Sequence, residues 1–484
     1  MTVRNACMFM DSPCLPPPPP PQVKMFGGFT RWHADLPAPL DAVPARTILS
    51  AVGTAVQRAV GVPAGPVHLN CQFREPLAPV ETGAWDRRCL QGLARWEAGD
   101  APFTAVAGLQ AAGGAAAAAP LLQQLPALPL GGAASSPSGG SADLAALGLA
   151  DPAARAALQV VLGARRGLIV AAELSHPEDS VAAAQLSQLL GWPVAADVLS
   201  GLRAGVPAAP AASTAAAPAG AAAVIHHFDQ LLLLDRAQWE ALRPDVVLQL
   251  GGHLTSKRLN QFLGWCCLEG EGGADQQSSS SSSSIAASEQ QAATQWLLVD
   301  RTSKRHDQFH LLAHRLQAPL PALAAALHWA LSSSGGGGLA AQQQQRRQEQ
   351  AQYAALLRAL DGEASAAVDA ALAAMPELTE PAVARTLARS LPPGEGLFVG
   401  NSMPIRDLDM YAAPPAAGAA GAAGDATAGS PSGSGAAPLA PQGVVPAALG
   451  APVAANRGAS GIDGVLSTGM CRWPVMPACM HPAC

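Results

Sequence analysis

The sequence predicts an α/β protein whose centre is a doubly wound parallel sheet. Three observations carry that prediction. Between residues 166 and 300, short apolar runs recur: R-G-L-I-V-A-A (166–172), V-A-A-D-V-L from Val194, D-V-V-L-Q-L (245–250) and W-L-L-V-D (296–300). Near-continuous apolar runs suit strands buried on both faces, and helix-length spacers between them imply parallel crossover connections. Polar and cationic residues follow the carboxyl ends of such runs, where open α/β sheets hold ligands.

Taken in order, residues 1–21 read as a disordered leader ending in the proline run Pro16 to Pro21. It has no apolar h-region and no Arg/Ser-rich amphipathic character, so no targeting signal is readable. P-A-R-T-I-L-S-A-V-G-T-A-V-Q-R-A-V-G predicts a helix with Gly61 as its C-cap, and G-P-V-H-L-N (65–70) predicts a buried strand. In the centre, strand 166–172 precedes a helix from Pro177 to Leu190, which Gly191-Trp192-Pro193 ends. After strand 245–250, G-G-H-L-T is a turn and S-K-R-L-N-Q-F-L opens a helix. A third unit begins with P-E-L-T-E-P-A-V-A-R-T-L, where Thr379 is a natural N-cap and Pro381 sits in the first turn. G-L-F-V-G (396–400) is its strand and ends in Asn401-Ser402. The biased segments 111–142, 204–223, 269–294, 332–352 and 412–440 are expected to be insertions and linkers without a core.

Composition narrows the function. A length of 484 residues leaves room for two or three domains. A net charge of −6 argues against nucleic acid or anionic membrane as a partner bound by bulk charge. Alanine-rich tracts such as 204–224 are broken by proline and too weakly apolar to span a bilayer. The nine cysteines show no framework spacing, which points to a reducing compartment.

The densest chemical signal is A-N-R-G-A-S-G-I-D-G-V-L-S-T, residues 455–468. Gly458, Gly461 and Gly464 recur every third residue, so the loop can turn tightly and offer backbone N–H groups to an anion. Arg457 stands at its entrance, and Ile462 is the one bulky apolar residue that could press on a flat ring. Two further sets follow strand ends: Asn401, Ser402 and Arg406, and Lys257 with Arg258. Four cations at strand ends suit a ligand with several carboxylates or phosphates. The plainer alternatives are that Lys257 and Arg258 are exposed bases at a helix start, that Ser402 caps the following helix, and that Gly458 and Gly464 serve only turn geometry.

These residues resemble a family. The 455–468 segment and G-L-F-V-G-N-S-M-P-I-R-D-L-D (396–409) look like 2-succinyl-5-enolpyruvyl-6-hydroxy-3-cyclohexene-1-carboxylate synthases, the MenD-type thiamine-diphosphate enzymes of menaquinone and phylloquinone biosynthesis. G-P-V-H-L-N-C-Q-F-R-E-P-L (65–77), L-G-W-P-V-A-A-D-V-L-S (190–200) and V-V-L-Q-L-G-G-H-L-T-S-K-R-L (246–259) resemble the same family in the same order.

The resemblance implies a transferase that adds the succinyl semialdehyde unit of decarboxylated 2-oxoglutarate to isochorismate. Its cofactors would be thiamine diphosphate and Mg²⁺ or Mn²⁺. Arg406 and Arg457 would hold substrate carboxylates, with Lys257 and Arg258 reaching in from the central domain. Asn401 and Ser402 would lie by the diphosphate, Ile462 would wedge the cofactor into its bent form, and Gly461 would leave room for the ring. The division it implies is 22–80 as the end of a pyrimidine-binding domain, 81–155 as a linker, 156–330 as the central domain, 331–352 as a second linker, 353–470 as the first part of a diphosphate-binding domain, and 471–484 as an unrelated tail. The complete enzyme would be a dimer or tetramer, in a plastid if the source is a phototrophic eukaryote and otherwise in the cytoplasm.

The activating glutamate of the family would precede Gln22, and its Gly-Asp…Asn metal motif would follow Thr468. The chain is therefore expected to hold half of a cofactor site, with no catalytic or metal-ligating residue of its own, and to be inactive alone as a fragment or module of a larger fused protein. Two alternatives stand beside this: a non-catalytic α/β anion-binding or scaffold module, and an acetolactate-synthase-type lyase, against which N-R-G-A-S-G-I-D-G argues. His306, His310 and His314 at helical i, i+4, i+8 spacing, and Cys479, His481 and Cys484 in the tail, are read as ordinary residues rather than metal sites.

Overall fold

The computed structural model describes residues 6–7, 23–73, 87–109, 149, 151–203, 222–268, 293–333, 340–390, 397–413 and 453–455. The first unit contains β1 (Ala6–Cys7), β2 (Trp32–Leu36), α1 (Ala45–Val60) and β3 (Val67–Gln72). Its three strands are parallel in the order β1-β3-β2, with Trp32 opposite Val67 and Ala6 opposite Cys71. Ala6–Cys7 thus forms a strand inside the leader that sequence alone assigns to disorder. The packed core here is small: Ala55, Val67 and Leu69, with Trp32, Ala34, Val52 and Ala59 against them.

Next come α2 (Ala94–Glu97), β4 (Ala105–Gly108), α3 (Pro152–Gly163), β5 (Gly167–Ala171), α4 (Pro177–Leu190), β6 (Val194–Ala196), β7 (Val224–Ile225), α5 (Phe228–Leu231), α6 (Arg236–Leu242), β8 (Val246–Leu250), α7 (Lys257–Leu268), β9 (Gln295–Asp300), β10 (His314–Gln317) and α8 (Leu320–Ser333). Seven parallel strands run in the order β4-β10-β9-β8-β5-β6-β7. From β5 the chain winds outward to β6 and β7, then returns to the other side of β5 at β8 and winds outward again. That is the doubly wound topology the apolar runs predict, with its switch point between β5 and β8.

Strand alternation divides the interior into two cores. Ile169, Ala171, Leu248, Leu250, Leu297 and Val299 face α3, α4 and α8. Leu168, Val170, Val247, Trp296 and Leu298 face α5, α6 and α7. The G-W-P segment that ends α4 has a second purpose: fully buried Trp192 lies over Gly167, where any Cβ would come within 2.0 Å of the ring. Asp151 caps α3 by accepting from the Ala153 N–H at 2.8 Å.

Three stretches depart from the sequence reading. Ala105–Gly108 and the first turn of α3 (152–155) fall in the segment assigned to a linker, yet β4 pairs with β10 along the whole strand and α3 supplies four buried residues to the core. Residues 340–352, also assigned to a linker, begin a 34-residue helix, α9 (Ala340–Ala373). Alanine, glutamine, arginine and glutamate are good helix formers, so low complexity there does not mean loop. Nor does α9 start the third unit. Tyr353 and Leu357 are buried in the second core of the central sheet, and the Tyr353 hydroxyl donates to the Leu242 carbonyl at 2.6 Å.

The third unit holds α10 (Glu380–Ser390), β11 (Leu397–Val399), α11 (Met403–Tyr411) and β12 (Val453–Ala455). Thr379 caps α10 through a hydrogen bond from the Ala382 N–H at 3.4 Å. Ile405, Leu408, Ala384 and Val399 pack against Val198 and Leu199 of the central domain. A buried clasp adds to this contact: Arg385, 2% exposed, grips both oxygens of Asp369 and reaches the His227 Nε2 at 3.0 Å.

Candidate functional site

β11 and β12 are parallel, with Val399 opposite Ala455, so the chain leaves both strands at the same edge. Gly400-Asn401-Ser402 leaves one strand there. Ala455 precedes the N-R-G-A-S-G-I-D-G segment at the other. Parallel pairing therefore brings the origins of the two most diagnostic sequence segments together. Asn456, Arg457, Gly458, Gly461, Ile462 and Gly464 lie outside the described residues.

Asn401 and Ser402 are exposed, and so is Arg406 one turn into α11. The Ser402 N–H is held by Asn401 Oδ1 at 2.8 Å. Ser402 stands at the N-cap position of α11 with φ 74° and ψ −123°, a backbone state side chains disfavour, and its hydroxyl makes no cap hydrogen bond. The capping alternative is thus not realised. The first N–H groups of α11 keep the anion-attracting character of a helix start.

Lys257 and Arg258 are the first two residues of α7, after the G-G-H-L-T turn that follows β8. Lys257 is exposed, whereas Arg258 is half-buried and ion-paired through Nη1 to Asp229. The same Nη1 lies 3.7 Å from the Met410 sulfur, so Arg258 meets the far end of α11 from the end that bears Ser402. Among the described residues no hydrogen bond or ion pair joins Lys257 or Arg258 directly to Asn401, Ser402 or Arg406.

Between them lies a junction that sequence reasoning missed. Asp409 is buried; it accepts from the Val198 N–H at 2.9 Å and stands 3.5 Å from Arg203 Nη1. Arg203 also donates to the carbonyls of Ala196 (3.2 Å) and Ala412 (2.7 Å). Asp197, equally buried, accepts from the Leu199 N–H at 2.9 Å and the Thr255 hydroxyl at 3.1 Å. Burial, reinforced by the neighbouring Asp197 and Asp229, pushes the Asp409 carboxyl up to about 8 against the pull of Arg203. Burial likewise raises Asp197. The one signal in the sequence was R-D-L-D, three charges in four residues of a chain poor in charge.

The histidine series does not form a helical face. His306 and His310 take left-handed backbone in the loop before β10, and His314 opens that strand. Burial, with His253 beside it, drops the His306 ring to about 4, and burial does the same to His314.

The fold and the strand-end loops define the class first. A family model described as the middle domain of thiamine pyrophosphate matches residues 152–270, from the start of α3 to just past α7. The particular resemblance follows from the relatives. The chain is 31% identical to a 2-succinyl-5-enolpyruvyl-6-hydroxy-3-cyclohexene-1-carboxylate synthase of Rubrobacter xylanophilus, over 92% of this chain and 56% of that protein. It is 29% identical to the synthase of the same name from Salinibacter ruber, over 92% and 55%. It is 30% identical to the chloroplastic protein PHYLLO of Arabidopsis thaliana, over 92% of this chain and 21% of that protein. The chain is thus similar to these proteins over nearly all of its own length. It spans about half the length of the bacterial relatives and about a fifth of PHYLLO.

Proposed function

We propose that the chain serves in a thiamine-diphosphate-dependent synthase that joins decarboxylated 2-oxoglutarate to isochorismate in menaquinone or phylloquinone biosynthesis. The supporting observation is the parallel β11–β12 pair, which starts the G-N-S and N-R-G segments from one sheet edge in a chain related to these synthases over 92% of its length. The described residues fit the diphosphate end of the cofactor. An exposed helix start, a serine hydroxyl spent on no cap and a neighbouring Arg406 suit a phosphate group. When bound, thiamine diphosphate supplies the carbon nucleophile that a protein side chain cannot.

The chain's own residues would bind and orient. Asn401 and Ser402 would hold the diphosphate with a divalent ion, Mg²⁺ or Mn²⁺, and Gly461 with Ile462 would shape the seat of the rings. Arg406, Arg457, Lys257 and Arg258 would hold the carboxylates of 2-oxoglutarate and isochorismate. Cations suit this task because substrate carboxylates arrive as fixed negative charges. We place the working protein in a plastid, by analogy with PHYLLO, and expect more than one copy of the chain in the complete enzyme.

Calorimetric titration of the purified chain with thiamine diphosphate and Mg²⁺ tests the reading. Micromolar binding is the expected result, with turnover of isochorismate and 2-oxoglutarate only once the missing part of the site is supplied by a longer chain or a partner. Absence of binding at millimolar cofactor would refute a cofactor site in this chain.

A further inference from the structure

Lys257 and Arg258 occupy the first two positions of α7, the positive end of the helix dipole, where cations are disfavoured. One buried carboxylate offsets the second of them. Asp229 on α5 is 7% exposed; one of its oxygens contacts Arg258 Nη1 and the other accepts from the Ser256 hydroxyl. Ser256 Oγ itself accepts from the Leu259 N–H at 2.9 Å, so its single proton is committed to Asp229. Asp229 therefore ties together the cap of α7 and the guanidinium of its second residue. Met410 closes on the same Nη1 from the α11 side at 3.7 Å. Arg258 Nε and Nη2 have no partner among the described residues, and the side chain is 39% exposed.

We propose that Asp229 is a positioning residue, which grips Arg258 by one nitrogen and leaves its remaining guanidinium N–H groups set for a substrate carboxylate. The inference rests on the substrate role assigned to Arg258 above. A planar guanidinium recognises a carboxylate through a pair of parallel N–H groups, so fixing the third nitrogen orients that pair. A buried partner suits this better than an exposed one, because water competes less for its carboxylate.

The test titrates the full chain with isochorismate by calorimetry for the wild type, D229N, D229E, R258A and the D229N/R258A double variant. In parallel, the rate at which phenylglyoxal modifies Arg258 is followed by peptide mass spectrometry. D229N is expected to weaken isochorismate by about tenfold, with D229E recovering most of the loss. The double variant is expected to bind no more weakly than R258A, because both changes remove one interaction. Arg258 is expected to react several-fold faster in D229N. Should D229N fail to fold, Ser256→Ala is the milder variant and is expected to show the same two effects at reduced size.

Loss on R258A with D229N or S256A unchanged in both readouts overturns the positioning role while the substrate reading stands. Losses that add in the double variant overturn it too. R258A binding as tightly as the wild type, or no binding by the wild type, overturns the substrate reading and the aiming role with it.

Discussion

Two places in this molecule let polar loops leave parallel strands, and they treat the resulting crevice in opposite ways. At the switch point of the central sheet, between β5 and β8, the chain fills the crevice with its own backbone. The Glu173 N–H donates to the His253 carbonyl at 3.1 Å, and the Gly252 N–H donates to the Glu173 carbonyl at 3.0 Å. At the β11–β12 edge, by contrast, Asn401, Ser402 and Arg406 remain exposed, and the Ser402 hydroxyl is not spent on the helix start. Topology offers a ligand crevice at both places by default. The difference shows how one is converted into a platform, on which Lys257 and Arg258 are presented, while the other keeps its donors available.

The sharpest way to break this comparison is Gly251. It has φ 85°, and a Cβ there would stand 2.4 Å from the Glu173 carbonyl oxygen. Gly251→Ala combines backbone strain with a clash against immobile backbone, so a loss of about 3 kcal/mol is expected. Urea unfolding followed by tryptophan fluorescence measures it, and amide exchange at Gly252 should speed up. A variant as stable as the wild type would show that backbone closure at the switch point contributes nothing.

A smaller effect is expected where the two regions meet. Asp409 faces Asp197, Arg203 and Asp229 across the junction, and burial raises it from the ordinary 3.8 to about 8. The folded chain therefore holds this proton more tightly than the unfolded chain does. Its contribution to stability is complete below about pH 4 and is lost as pH rises through about 8. Thermal melts between about pH 6 and pH 9 should show docking of α11 weakening with pH. Asp409→Asn, which keeps an oxygen for the Val198 N–H, should flatten the profile. An unchanged slope in the variant would assign the pH dependence to other groups.

Legibility in the sequence divides along the same line. Strands β5 and β6 are apolar throughout, and β8 and β9 are apolar but for Gln249 and the two end residues of β9, so their pattern survives without knowledge of the fold. β10 does not read as a strand because it carries His314 and Arg315. Yet Arg315 is 3% exposed, its guanidinium satisfied by the carbonyls of Lys304 (3.2 Å) and Leu316 (2.6 Å). Burial that depends on carbonyls from a loop and from the strand itself leaves no trace in hydropathy. β4 is four small residues, A-V-A-G, too short to stand out. α9 is masked by glutamine repetition until Tyr353 and Leu357 reveal its buried face. Among the proposed site residues, Ser402, Arg406, Lys257 and Arg258 are legible as polar residues after strand ends. Asp197 and Asp409, 212 residues apart in numbering, acquire their meaning only from each other's burial. Arg457, Gly461 and Ile462, the most legible of all, lie outside the described residues.

The smallest expected effect is the one that best distinguishes a site from a structural turn. Ser402 adopts φ 74° and ψ −123°, a combination open to glycine and costly for serine, and its side chain does not cap α11. An N-cap serine changed to alanine ordinarily loses about 1 kcal/mol. Here Ser402→Ala should leave stability within about 0.5 kcal/mol of the wild type, because no cap bond exists to lose. Ser402→Gly should gain up to about 1 kcal/mol by relieving the backbone. Both variants should weaken thiamine diphosphate in calorimetry if the hydroxyl meets the diphosphate. A destabilised Ser402→Ala with unchanged cofactor affinity would return Ser402 to the role of helix cap. This pair of substitutions separates the cost of the strained backbone at Ser402 from the loss of a hydroxyl contact to the cofactor.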